Sequence, residues 1–178
     1  MRLENIIGRI VIPLLSVAVL VAVLFLTNQQ PIITVLPPNM SEPAEIAHNN
    51  ANEATKKAYG LYVVEMMSNV HPGNVKFMIS SLEGALHPSI YHEAKESIMD
   101  QVGLIKKEDL AITFEARSVD YWSDTNRVVI QGRRITEGRS KDDALSDMMT
   151  YEVEVEIYNY LPQITYINAY KGRPERKR

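Results

Sequence analysis

Three glutamates, Glu152, Glu154 and Glu156, alternate with Tyr151, Val153, Val155 and Ile157 in one continuous run. Carboxylates do general acid/base work only where a cleft drives their proton affinities apart. Strict alternation instead puts all three on one face of a strand, where water or arginines must screen their mutual repulsion. Arg117, Arg133 or Arg134 on a neighbouring strand is expected opposite them, making that face a charge ladder. The four histidines, at 48, 71, 87 and 92, contain no His-x-x-x-His pair. His92 and Glu96 stand one helical turn apart and read as an exposed pair rather than half a metal site. Ser80, Ser81 and Ser89 lack a nucleophile-elbow setting, and the glycines form no phosphate-cradling loop. The sequence holds no cysteine, which removes thiolate metal sites and thiol nucleophiles. The expectation is a non-enzyme with no catalytic residue, no metal site and no cofactor; the alternative is a membrane-anchored small-molecule enzyme or binding domain using a concavity between sheet and helices.

The elements that would carry these residues begin with an apolar run. Ile10 to Leu26 is interrupted only by Pro13 and Ser16, and no charge occurs between Ile10 and Glu42. A run of this length and uniformity predicts a transmembrane helix over 10–29, with Pro13 tolerated in an early turn. Arg2 and Arg9 precede it and the next basic residue is Lys56, so the basic bias predicts a cytoplasmic N-terminus at 1–9 and a domain outside the cytoplasm. Ala18 and Ala22 form a small-xxx-small pair that suits close helix packing within the lipid bilayer.

Prolines at 31, 37, 38 and 43 make 30–43 a semi-rigid spacer, with Ile32 to Leu36 as either extended linker or edge strand. The domain is expected over 44–171. A helix is expected from Glu45 to Asn69, closed by His71, Pro72 and Gly73, and a short second one from Asn74 to Leu82. A third runs from Pro88 to Lys106, where Ile90, Ala94, Ile98, Val102 and Ile105 form one stripe. From Leu110 the period becomes two, predicting strands over 110–117, 127–138, 149–160 and 163–170. A bulge is expected at Gly132 to Arg134, and a tight turn at Leu161 and Pro162. Three helices followed by four hairpin-linked strands imply an α+β layer fold. The last eight residues carry five positive charges and one negative on an otherwise acidic chain. This basic tail, 172–178, suits lipid or solvent better than a nucleic-acid stripe, and direct DNA binding is not expected.

Tyr59, Tyr62 and Met66 on the first helix, with Tyr121 and Trp122 at the first strand's end, are the candidate protein-interface residues, because aromatic side chains combine contact area with a polar handle. The order of motifs resembles the TraE family: the apolar N-terminal helix, Val35-Leu36-Pro37-Pro38, Asn69-Val70-His71-Pro72-Gly73-Asn74-Val75, and the strand around Val128, Ile130, Gly132 and Thr136. The resemblance implies a pilus and mating-channel assembly protein of a conjugative type IV secretion system. It further implies a single-pass inner-membrane scaffold whose periplasmic domain is similar to nuclear transport factor 2, three helices packed on a curved four-stranded antiparallel sheet. Implied partners are other secretion-channel and pilus proteins and further copies of the chain in a homo-oligomer. The Asn-Pro-x-Gly loop of a more distant branch does not occur here.

Overall fold

The computed structural model describes residues 2–27, 33–35, 43–138 and 144–174. The chain divides into two units, Met1–Pro31 and Ile32–Arg178. The first is a single helix, α1 (Arg2–Thr27), with Pro13 inside it. Ala18 and Ala22 are both exposed on it, one turn apart. Among the described residues no helix is long and apolar enough to cross a membrane. The expected transmembrane helix over 10–29 is corrected on that finding, and with it the single-pass inner-membrane placement with a cytoplasmic N-terminus and periplasmic domain.

The second unit opens with a small sheet that the sequence reading placed partly in a spacer and partly in a helix. Strand β1 (Ile33–Val35) pairs antiparallel with β2 (Ala44–Ala47), which turns back into β3 (Asn50–Ala51). The extended run thus takes its edge-strand alternative. Asn52 explains why the polar stretch before the helix is not helical. Its side-chain oxygen accepts from the backbone N–H groups of Glu45 and Thr55, and its amide donates to the Pro43 carbonyl. One side chain therefore closes the hairpin and caps the helix that follows. That helix, α2 (Glu53–Ser68), is followed by α3 (Val75–Ala85) and α4 (Pro88–Glu108). The expected stripe on α4 faces the core: Val102 and Ile105 are buried, and Ile90, Ala94 and Ile98 pack against them. The helix starts with Pro88 after a His87 cap and stops at Asp109 in the left-handed conformation, φ 52°.

Four long strands follow, β4 (Ala111–Trp122), β5 (Arg127–Glu137), β6 (Leu145–Tyr158) and β7 (Leu161–Lys171), paired antiparallel in that spatial order. The turn between β6 and β7 falls at Asn159 and Tyr160, φ 50° and 67°, the positive pair a two-residue hairpin demands, rather than at Leu161 and Pro162. The bulge lies on β4: Ala116 opposes Gly132 and Ser118 opposes Gln131, leaving Arg117 as the extra residue. A Cβ on Gly132 would collide with the Glu115 carbonyl and the Phe114 ring, so the glycine marks the bulge's partner.

The fold is α+β with four helices and this antiparallel sheet, but the sheet is open and not curled. The curved sheet expected from nuclear transport factor 2 is corrected. Each edge instead ends locally, at an isolated bridge of Val70 with Ile112 on β4 and of Leu86 with Ile164 on β7.

The core lies between the helices and one sheet face, where Val63 and Val64 of α2, Met78 and Leu82 of α3, and Val102 and Ile105 of α4 meet Phe114, Val128, Ile130, Tyr151, Val153 and Ile164. Gly60 sets the closest approach. A Cβ there would stand 3.0 Å from Val153 Cγ2 and 3.1 Å from Val128 Cγ1, so α2 rests its backbone on the middle of the sheet. Asn126, in the β4–β5 turn at φ 55°, ties the same helix at its start. Its side-chain oxygen accepts from Lys56 Nζ at 2.6 Å and Tyr121 Oη at 2.7 Å, while its amide donates to Glu154 at 3.3 Å and Glu156 at 2.5 Å. Lys56, only 8% exposed, thereby keeps an acceptor. On the outer side of the helices Glu83 of α3 accepts from Tyr91 Oη at 2.8 Å and from Lys95 Nζ at 3.4 Å, both on α4.

Three outcomes follow from this packing. Gly60→Val should cost about 1–3 kcal/mol in urea unfolding through overpacking, and an unchanged midpoint would refute the close approach. Asn126→Gly keeps the positive φ but leaves Lys56 and Tyr121 without their shared acceptor, and a loss of about 1–3 kcal/mol is expected. Tyr91, then Lys95, hold the Glu83 carboxyl below the usual range, so the clasp's contribution exists above the unfolded-state pKa and is lost as pH falls through the folded one. Tyr91→Phe should move the Glu83 titration, followed by carboxyl-carbon NMR, upward; identical curves in both proteins would discount that hydrogen bond.

Candidate functional site

The sheet face turned away from the helices carries the polar chemistry. The alternation read in β6 holds: Tyr151, Val153, Val155 and Ile157 are buried in one direction, and Glu152, Glu154 and Glu156 belong to the other. The expected arginine partners do not. Arg133 pairs with Glu115 at 2.7 Å and Arg134 with Asp147 at 3.4 Å, while Arg117 is the bulged residue. The arginine that reaches the glutamates is Arg127, opposite Glu154 in the register. Its Nη1 donates to Glu152 at 2.9 Å. Tyr170 Oη donates to the other oxygen of Glu152 at 2.6 Å. The Glu152 side chain is only 8% exposed, so this member of the alternation is a buried, doubly bonded carboxylate and not a solvated one. A lone buried carboxylate would be costly, and the arginine and phenol offset that cost together.

Arg127 also lies over the Tyr166 ring, 4.1 Å from its centroid. Stacked on one side and held by Glu152 at its edge, the guanidinium is fixed in orientation. Around it opens a groove of about 520 Å³ lined by Trp122, Arg127, Glu152, Tyr166, Tyr170 and Arg173 among others. Aromatic rings, a positioned arginine and flanking basic side chains are the residue types that carry protein contacts.

The predicted interface residues divide between surfaces. Tyr59 and Tyr62 of α2 have ring centroids 6.1 Å apart. Tyr62 is 55% exposed, whereas Tyr59 and Met66 pack against the core. Burial, and then the neighbouring Tyr62, push the Tyr59 hydroxyl above its ordinary pKa. Tyr121 and Trp122 are not brought together: Tyr121 packs against the core and bonds Asn126, while Trp122, next along the strand, lines the groove. Arg127, Tyr166 and Tyr170 escaped the sequence reading, as did the burial of Glu152. Their signal is the Arg127–Glu154 register, which depends on a β5–β6 connection that includes 139–143, outside the described residues. Arg139, Lys141 and the tail from 175 onward lie outside them too, and Arg133 and Arg134 project from opposite faces of β5.

His92 and Glu96 are both exposed on α4, and among the described residues no group of three or more His, Asp or Glu could hold a metal. Ser89 and His87 approach to 2.7 Å, but the same His87 Nδ1 accepts from the Ser89 backbone, which makes it a helix cap. The space between helices and sheet contains a cavity of only about 30 Å³, far below the few hundred Å³ of a substrate pocket.

A family model described as TraE protein matches residues 1–169. No curated protein matches this sequence. Among solved structures, the VirB8 protein of Agrobacterium tumefaciens is similar with a TM-score of 0.58 at 12% identity, covering 70% of this chain and 95% of that one. A TraE protein in complex with 2-(2-furyl)isonicotinic acid gives 0.56 at 9% identity, covering 69% and 99%. An IcmL-like type IV secretion system protein of Legionella pneumophila gives 0.55 at 5% identity, covering 71% and 97%. At such identities these likenesses show a shared fold, and the family match over nearly the whole sequence supplies the rest. The chain belongs to the TraE/VirB8-like family, a component of conjugative type IV secretion systems.

Proposed function

We propose that this protein is a non-enzymatic assembly subunit of a conjugative type IV secretion system, supporting pilus and mating-channel assembly by associating with itself and with other components of the machine. The family match over 1–169 carries the reading. Two surfaces support it physically. The groove on the outer sheet face presents Trp122, Tyr166, Tyr170 and an oriented Arg127, and α2 presents Tyr62 one step from the half-buried Tyr59 and Met66. Anchors of these types dominate interface energetics when a partner covers them. The cavity of about 30 Å³ among the described residues between helices and sheet is too small for an organic substrate, which favours assembly over the alternative of a small-molecule enzyme or binding domain working in that concavity.

The test is cross-linking in intact cells carrying the neighbouring transfer genes, followed by gentle extraction, pull-down and identification of what co-purifies. Trp122→Ala and Tyr62→Ala are compared with the unaltered chain after each variant's folding is checked by circular dichroism. Loss of an anchor side chain at a real interface costs about 2 kcal/mol or more, a weakening of roughly thirtyfold. Co-purification with secretion or pilus proteins that either variant depletes is the expected result. Recovery of the chain alone, with cross-linking efficiency verified on a known complex, would overturn the assembly reading.

A further inference from the structure

The small cavity under the helices contains two donors that the fold leaves unused. Ser68 is the last residue of α2 and 3% exposed, yet its hydroxyl has no hydrogen-bond partner. A serine in a helix ordinarily turns its hydroxyl back onto the carbonyl four residues earlier. Arg134 Nε, on the helix-facing side of β5, is itself buried and without a partner, while the side chain as a whole is 27% exposed. Both residues line the same cavity of about 30 Å³, together with Gln101, Tyr151, Val102 and Ile105. Two orphaned donors lining one small pocket carry a desolvation cost that an occupant of the pocket relieves. The volume exceeds the minimum for one water-sized guest and is too small for an organic ligand.

We propose that this cavity is a binding site for one halide-sized monovalent anion, held by Arg134 Nε–H and the Ser68 hydroxyl. Charge selects an anion over neutral water. Arg134 is the only charged residue on the cavity wall, and its neutralisation is incomplete. Its Nη2 meets Asp147 at 3.4 Å, long for a charged pair, while the same Asp147 oxygen takes Lys171 Nζ at 3.1 Å. One carboxylate shared by two cations leaves a positive surplus beside the cavity. No carboxylate lines the wall to repel an incoming anion, and the hydroxyl of Tyr151 and the amide of Gln101 belong to side chains able to donate. Bound there, the anion adds a link from the end of α2 to β5 beside the bonds that Asn69 and Val70 already make to β4.

The test uses bromide as the probe. Crystals of the full chain are grown or soaked in sodium bromide, and diffraction is recorded at the bromine absorption edge. An anomalous peak inside the cavity, within hydrogen-bond reach of Arg134 Nε and Ser68 Oγ, is expected, with loss of that peak in Arg134→Gln. Ser68→Ala removes one hydroxyl without adding bulk and should reduce the peak even if the arginine variant fails to fold. Ordered water without anomalous signal, an empty cavity, bromide at the surface only, or a cavity peak that Ser68→Ala leaves unchanged would each overturn the assignment.

Discussion

The second unit depends on how closely α2 lies on the sheet. Gly60 lets its backbone come within van der Waals distance of Val128 and Val153, two residues on the central strands that are themselves fully buried. Interiors pack at crystal-like density, so a contact of this closeness fixes everything around it. At the helix start it brings Lys56 to the β4–β5 turn, and at the end it brings Asn69 to the edge of β4, where the Asn69 side chain accepts from the Phe114 N–H. The cavity beside Ser68 lies at the end of the same helix.

Once α2 is set, the two sheet faces divide the chemistry. The helix-facing side is apolar from Phe114 to Ile164, and a polar pair, Arg134 with Asp147, falls at the end of the core. The outer side collects Arg127, Glu152, Tyr166 and Tyr170 into one bonded cluster. Such a cluster is rigid because each polar group is satisfied by another, and rigidity lowers the cost of ordering a surface when a partner arrives. A family whose members belong to a multiprotein secretion machine has use for a preformed face of this kind.

Local patterns were read correctly where the period alone decides. The α4 stripe, the switch to alternation after Glu108 and the two-sided β6 all reappear, because helix and strand repeats are properties of neighbouring residues. The readings that failed needed something beyond neighbours. The polar run before α2 looked helical by continuity, but the Asn52 side chain folds it into a hairpin by reaching back to Glu45 and Pro43. The transmembrane expectation rested on an apolar run in the sequence, whereas among the described residues no helix is long and apolar enough to cross a membrane. The curved sheet was inferred from a family likeness, whereas the observed sheet is open and stops at local bridges on each edge.

The sequence by itself determined the α+β order of elements, the core stripe of α4, the face on which the three glutamates stand and, through the spacing of its motifs, the TraE family. Each of these is written in short-range periodicity or in motif order. Only the tertiary structure decided that Arg127 and not Arg133 or Arg134 serves the glutamates, that Glu152 is buried, that Tyr121 and Trp122 part company, and that Ser68 and Arg134 share a cavity. Those facts depend on strand register and on which helix end meets which strand. A one-residue change of register would send every side chain of β6 to the opposite face, and the linear order of residues carries no direct record of that choice.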